Sequence, residues 1–248
     1  MKNELYYITC ITNLHVGSGE ANYNIIDKEV EKDPITGYPT IHASGIKGAL
    51  RDIYTGNDEI EIFGAPAKDA ANVGSGAIRF LNANLLYRPM RATGNTPYIN
   101  VTTIDILKSY VELCENFGIK NDLRIPKIAF GVNKFMASRN TKVEGEATGN
   151  LDESQIAALS GLLGGNFAIA KSFDGFDLPV IARNNLTENR NLWYEEYVPH
   201  GSRFYFFVIN TNPTEIEYDV QELVQLGGNS SIGYGYCKFE KQGENNNE

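Results

Sequence analysis

Arg203-Phe204-Tyr205-Phe206-Phe207-Val208-Ile209-Asn210 is an aromatic and β-branched run without Gly or Pro, the composition of a buried strand. C-terminal to it, Pro213 to Leu226 carries Val220, Leu223 and Val224 at helix-like spacing, and Tyr234 to Glu240 reads as a last strand. The same order is legible at the start of the chain. Glu4 to Asn13 is β-rich, Asp33 to Pro39 is a Pro- and Gly-containing turn, and Ser44 can cap a helix running to about Tyr54. On that helix Ile46, Ala49, Leu50 and Ile53 share one face, while Lys47 and Arg51 share another. A second strand is expected from Gly76 to Tyr87, through Ile78, Phe80 and Leu85. Two strand-helix-strand halves predict an α+β fold, an RRM-like or ferredoxin-like βαββαβ core formed by residues 1–87 and 201–242.

Residues 88–200 are too many for one loop and are expected to form an inserted region with elements of its own. Thr103 can cap a helix whose apolar face is Ile106, Leu107, Tyr110, Val111, Cys114 and Phe117 and which Gly118 can close. Asp152 to Leu163 reads as another helix. Ser172 to Trp193, with Pro179, Arg183 and Arg190, reads as irregular, and residues 243–248 read as a disordered tail.

A hydrophobic content of 42% over 248 residues is enough for a sizeable core. No apolar run approaches the roughly 20 residues needed to cross a bilayer, and Met1-Lys2-Asn3-Glu4 does not open a secretory signal, so a cytoplasmic location is expected. Cys10, Cys114 and Cys237 stand far apart and form no zinc-ligand pattern; reduced, buried thiols are expected. The net charge of −9 argues against an isolated binder of phosphate backbones, although a local basic face can bind RNA while acidic surface lies elsewhere.

Two glycine-rich stretches flank the expected sheet, Gly17-Ser18-Gly19 and Gly227-Gly228-Asn229-Ser230-Ser231-Ile232-Gly233-Tyr234-Gly235. Such loops let backbone N–H groups approach a ligand closely, yet neither is a Walker A loop or a complete dinucleotide fingerprint, and each alone is as readily a tight turn. The Ser44–Arg51 helix is more specific: a capped N-terminus with Lys47 and Arg51 one turn apart suits phosphate.

Several stretches in order span nearly the whole chain. They are Leu14-His15-Val16-Gly17-Ser18-Gly19, Ile26-Asp27, Pro34 to Pro39, Gly45 to Arg51, Asn84 to Arg91, Leu178 to Asn184, Leu192 to Pro199 and Leu226 to Gly235. Together they resemble the RAMP superfamily of type III CRISPR effectors, most closely the fourth-subunit family of the type III-B (Cmr) complex. His42-Ala43-Ser44-Gly45 departs from the Pro-Gly-Ser-Ser usual before the helix, and the insertion is short for that family.

The resemblance implies an RRM-like core with an inserted lid and thumb, repeated in several copies along a CRISPR RNA within an endoribonuclease that cuts single-stranded target RNA at regular intervals. Other Cmr subunits would be partners. It places the thumb around Ser172 to Trp193. Asp27 matches the family's cleavage aspartate, acting as a base or by holding a divalent ion, Mg2+ or Mn2+, with His15, Glu195 and Tyr197 as helpers. Ser44, Lys47, Arg51, Arg183, Gly228, Asn229 and Gly233 are the expected RNA-binding positions. A type III-A backbone subunit with the same reaction, a non-catalytic RNA-binding scaffold and a guide-processing ribonuclease using His15 as its acid or base are the alternative readings.

Overall fold

A computed structural model describes residues 1–17, 19, 25–65, 75–94, 96–184, 191–214, 216 and 218–243. Ser18, Arg190 and the expected tail beyond residue 243 lie outside these. The chain forms two compact units, one of residues 1–84, 179–200 and 204–248, the other of residues 85–178 and 201–203.

The first unit opens with strand β1 (Lys2–Cys10) and the short β2 (Thr40–Ile41), followed by helices α1 (Ala43–Asp52) and α2 (Glu59–Phe63) and strand β3 (Ile78–Phe80). Strand β4 (Ala83–Thr93) then leads out of the unit. The single strand expected over Gly76–Tyr87 is therefore two, broken at Leu81 and Asn82. The break has a use: Asn82 Oδ1 accepts the Ala43 N–H at 2.8 Å and caps α1 from outside. Ser44 does not cap. His42 holds the N-cap position with no side-chain capping bond, because Ser44 already lies inside the first helical turn. Ile46 and Leu50 are fully buried, each such side chain contributing roughly 1.5–3 kcal/mol.

The second unit holds β5 (Tyr98–Thr103), α3 (Ile104–Asn116), β6 (Phe135–Ala137), β7 (Lys142–Val143), β8 (Glu146–Asn150), α4 (Glu153–Leu163) and β9 (Phe167–Ala170). Both helices start where the sequence indicates. Thr103 Oγ1 accepts the Ile106 N–H at 3.2 Å, and Asp152 with Gln155 forms a reciprocal capping box. The strands pair in the cyclic order β4, β5, β9, β6, β8, β7 and back to β4, where Ala92 meets Val143. Alternate residues of these strands, Met90, Ile99, Val101, Phe135, Ala137, Val143, Ala168 and Ala170, form one buried cluster.

The chain returns to the first unit with β10 (Val180–Asn184) and β11 (Leu192–Glu196), a hairpin in register from Val180↔Glu196 to Asn184↔Leu192. Ser172 to Trp193 is thus not irregular throughout: Pro179 precedes the first strand rather than interrupting it. Nor are residues 88–200 one unit, since 179–200 belong with the first. Strand β12 (Arg203–Asn210) occupies the expected range, and β13 (Leu223–Gln225) and β14 (Tyr236–Lys241) follow. The helix expected over Pro213–Leu226 is not found among the described residues of that range. Ile216, Tyr218, Val220, Val224 and Leu226 recur at even positions, which is strand periodicity, and burial of Val224 against exposure of Leu223 follows it.

The first unit's sheet runs β13, β14, β1, β12, with β3 also paired to β12. Tyr6, Phe206 and Phe239 pack across it, with ring centres 5.6 and 5.7 Å apart. Cys10 and Cys237, remote in sequence, face each other across β1 and β14 as buried free thiols. Their mutual hydrogen bond, together with burial, holds the Cys10 thiol well above its ordinary range. Among the described residues no helix is long and apolar enough to cross a membrane.

Candidate functional site

Strand β11 organises the site. Across from its residues Tyr194, Glu195 and Glu196 runs the loop that leaves β1, whose neck is closed by pairing of Gly17 with Val30. The N–H groups of Asp27 and Lys28 both donate to the Tyr194 carbonyl at 3.1 Å, and the Glu196 N–H donates to the Lys28 carbonyl at 2.9 Å. In return the Tyr194 N–H donates to Asp27 Oδ2 at 2.7 Å. Asp27 is therefore exposed but fixed, one carboxylate oxygen committed to backbone.

Behind it lies a buried polar cluster. Glu195, with no solvent exposure, receives Arg183 Nε–H at 3.1 Å, Trp193 Nε1–H at 3.4 Å and a close hydrogen bond from Asn229 Nδ2. His15 Nδ1–H donates to the Glu196 carbonyl at 2.8 Å and lies 3.8 Å from Glu195 Oε1. Because a carbonyl can only accept, Nδ1 carries a proton, and Nε2 lies on the Gly17 side of the ring. Glu196 turns the other way. Its Oε2 accepts the Val30 N–H at 3.1 Å and its Oε1 the Lys32 ammonium at 2.9 Å, which ties the far side of the Asp27 loop to β11.

The second glycine loop meets this cluster from the opposite side. The Gly228 N–H donates to the His15 carbonyl at 2.9 Å, and Asn229, at φ 63°, aims its side-chain amide at Glu195. Gly233, at φ 81°, closes the short 3-10 turn Ser230–Ile232. The Arg183 guanidinium lies 4.9 Å over the Tyr234 ring, whose edge contact with Tyr197 spans 6.1 Å between centres.

His15, Glu195, Arg183, Gly228 and Asn229 thus come together, Asp27 stands beside them through Tyr194, and Tyr197 packs on Tyr234. Ser44, Lys47 and Arg51 do not join them through any hydrogen bond or ion pair among the described residues. Arg51 is drawn instead to Glu59 of α2 at 2.5 Å, whereas Lys47 makes no salt bridge among the described residues. Sequence reasoning missed Tyr194, Lys28 and Glu196. Tyr194 acts through its backbone, which no pattern reports, whereas the adjacent Glu195-Glu196 pair signalled two carboxylates of opposite facing on one strand.

Among the described residues no three His, Cys, Asp or Glu side chains gather as an all-protein metal site. Asp27 Oδ2 accepts the Tyr194 N–H, so Asp27 would have one carboxylate oxygen to offer a divalent ion.

Comparison with known proteins agrees with this architecture. The family model described as RAMPs, the RAMP superfamily, matches residues 7–238. The chain is 24% identical over 296 residues to the CRISPR system Cmr endoribonuclease Cmr4 of Pyrococcus furiosus, covering 100% of this chain and 98% of that protein. Among solved structures, a chain of a type III-B Cmr-beta complex bound to cognate target RNA superposes with a TM-score of 0.77 at 21% identity, covering 97% of both chains. Oligomeric Cmr4 from Pyrococcus furiosus superposes with a TM-score of 0.69 at 21% identity, covering 97% of this chain and 98% of that one. With nearly its whole length matched by the family model and by this fold, the chain belongs to the RAMP superfamily.

Proposed function

We propose that this chain is the backbone subunit of a type III-B (Cmr) effector, that it lies in several copies along a CRISPR RNA, and that it cleaves the paired target RNA. The observation that carries this reading is the exposed Asp27 carboxylate, fixed to β11 at the front of a buried His15–Glu195–Arg183–Asn229 cluster. A nuclease of this kind supplies position more than reactivity, and a carboxylate held by backbone on both sides is positioned. The relatives named for Cmr endoribonuclease activity, target RNA and an oligomeric state support the substrate, the reaction and the self-association. Other Cmr subunits are the further partners, and the cytoplasm is the location such a complex occupies.

The strand order β14, β1, β12, β3, with α1 between β1 and β3, supports an RRM-like core in the first unit, with no second helix among the described residues between β12 and β14. The β10–β11 hairpin is the thumb, and its exposed Val180, Leu192 and Tyr194 are suited to lie against bases. Lys47, together with the glycine loops, contacts guide phosphates. Base pairing in the guide reads the target sequence, and the protein holds the duplex by shape.

In the chemical step the ribose 2′-oxygen attacks the adjacent phosphorus and gives its proton to Asp27. The P–O5′ bond breaks, and the 5′-oxygen takes a proton from water, leaving a 2′,3′-cyclic phosphate and a 5′-hydroxyl. In the alternative role Asp27 would instead hold a divalent ion, Mg2+ or Mn2+, whose charge would offset that of the phosphate. His15 and Glu195 keep the scaffold behind Asp27 in one arrangement, and Tyr197 braces Tyr234 against Arg183.

Asp27→Ala in a complex assembled with guide and partner subunits tests this reading. Target RNA should bind as before while regularly spaced cleavage falls about 10²–10⁴-fold. Undiminished cutting would remove Asp27 from the mechanism and the reading with it.

A further inference from the structure

Resting on the reading above, we propose that Lys28 is a second catalytic residue, whose ammonium contacts the non-bridging oxygens of the scissile phosphate. Among the described residues three cations, Arg183, Lys32 and Lys28, are attached to the β10–β11 hairpin. Arg183 is consumed by Glu195 at 3.1 Å and Lys32 by Glu196 at 2.9 Å. Lys28 is exposed and makes no salt bridge among the described residues; its Nζ lies 5.2 Å over the Trp193 ring. Its backbone is fixed by the same carbonyl that fixes Asp27, Tyr194 O, and by its own carbonyl to the Glu196 N–H. Asp27 and Lys28 therefore present an exposed carboxylate and an exposed ammonium on adjacent residues of a tethered loop.

That pairing answers an electrostatic need. A phosphodiester arriving beside Asp27 brings one negative charge toward another, and attack by the 2′-oxygen raises the charge on the phosphate further. In a chain of net charge −9 the repulsion has to be offset locally. The indole beneath Lys28 orients the ammonium without neutralising it, which a carboxylate partner would do. In the balanced step the 2′-oxygen forms its bond to phosphorus, Asp27 takes the 2′ proton, and the P–O5′ bond opens with a proton from water. Lys28 exchanges no proton and acts only on the charge of the phosphate oxygens.

The test uses the assembled complex and single-turnover cleavage of a target carrying either oxygen or sulfur at the non-bridging positions of one cleavage site. Lys28→Met keeps the aliphatic stem over Trp193. It should bind target with unchanged affinity, cleave the oxygen substrate about 100-fold more slowly, and lose most of the wild-type discrimination against sulfur. Lys28→Arg should restore both rate and discrimination. Wild-type cleavage by Lys28→Met, with Asp27→Ala inactive beside it, would overturn this proposal while leaving the reading of Asp27 intact. A slowed Lys28→Met whose sulfur discrimination equals that of wild type would also overturn it, since Lys28 would then act only through structure.

Discussion

Glu195→Gln isolates the buried charge of the cluster, because it preserves volume and shape. In the native chain Glu195 is fully buried and accepts from Arg183 at 3.1 Å, Trp193 at 3.4 Å and Asn229. With an amide in place, the Arg183 guanidinium, whose side chain is 18% exposed, retains its charge without a counter-charge, and one amide N–H2 is turned toward other donors. Removing one partner of a buried pair costs roughly 3–5 kcal/mol. The residual solvent contact of Arg183 sets the expectation at the lower end, about 3 kcal/mol. Trp193 is the only tryptophan in the chain and touches Glu195 directly, so its fluorescence during urea unfolding reports on this unit alone. Removing both charges in Glu195→Gln with Arg183→Met should recover roughly 1–3 kcal/mol relative to the sum of the single changes. An unchanged midpoint in Glu195→Gln, or strict additivity in the double variant, would refute the claim that this buried ion pair, which joins β10 to β11, stabilises the unit.

Two further outcomes follow from local geometry. Burial alone would raise the Glu4 carboxyl, but Lys2 at 2.7 Å and Lys241 at 3.0 Å outweigh it and hold it below its usual range. A depressed folded value means its stabilisation is present above the ordinary value of about 4.3 and is lost as pH falls through the folded one. Glu4→Gln should therefore flatten the acid limb of a Tm-against-pH profile below about pH 4.3, and an unaltered limb would contradict it. Gly227 has φ 72°, and a Cβ there would stand 2.3 Å from the His15 carbonyl oxygen. Gly227→Ala should accordingly cost more than about 2 kcal/mol. Gly48→Ala, in α1 with nothing within 4 Å of the added carbon, should instead stabilise by about 0.5–1 kcal/mol, and equal effects at the two positions would refute this reasoning.

Local signals carried most of the secondary structure. Thr103 and Asp152 start their helices because a cap is chemistry within three residues, and β12 lies where its aromatic run says. The errors arose where tertiary demands override local preference. Ser44 is a good cap by composition, but Asn82 reaches Ala43 from a distant strand break. The Val220, Leu223 and Val224 set fits a helix only if the alternation from Ile216 to Leu226 is overlooked. Partners of the site residues were less legible still. Asp27 is held by a backbone N–H, Arg51 is drawn off by Glu59, and Cys10 meets Cys237 only after the first and last strands pair.

The cyclic strand order of the second unit bears on assembly. A sheet that returns to its first strand presents no row of unpaired N–H and C=O groups for another chain to extend. In a filament of identical copies held at high local concentration, open sheet borders would invite neighbours to zip together and slip in two-residue steps. With β7 seated on β4 that route is closed in this unit. Recognition between copies there would have to be written in side chains, which meet their partners at one offset and so can set a constant spacing.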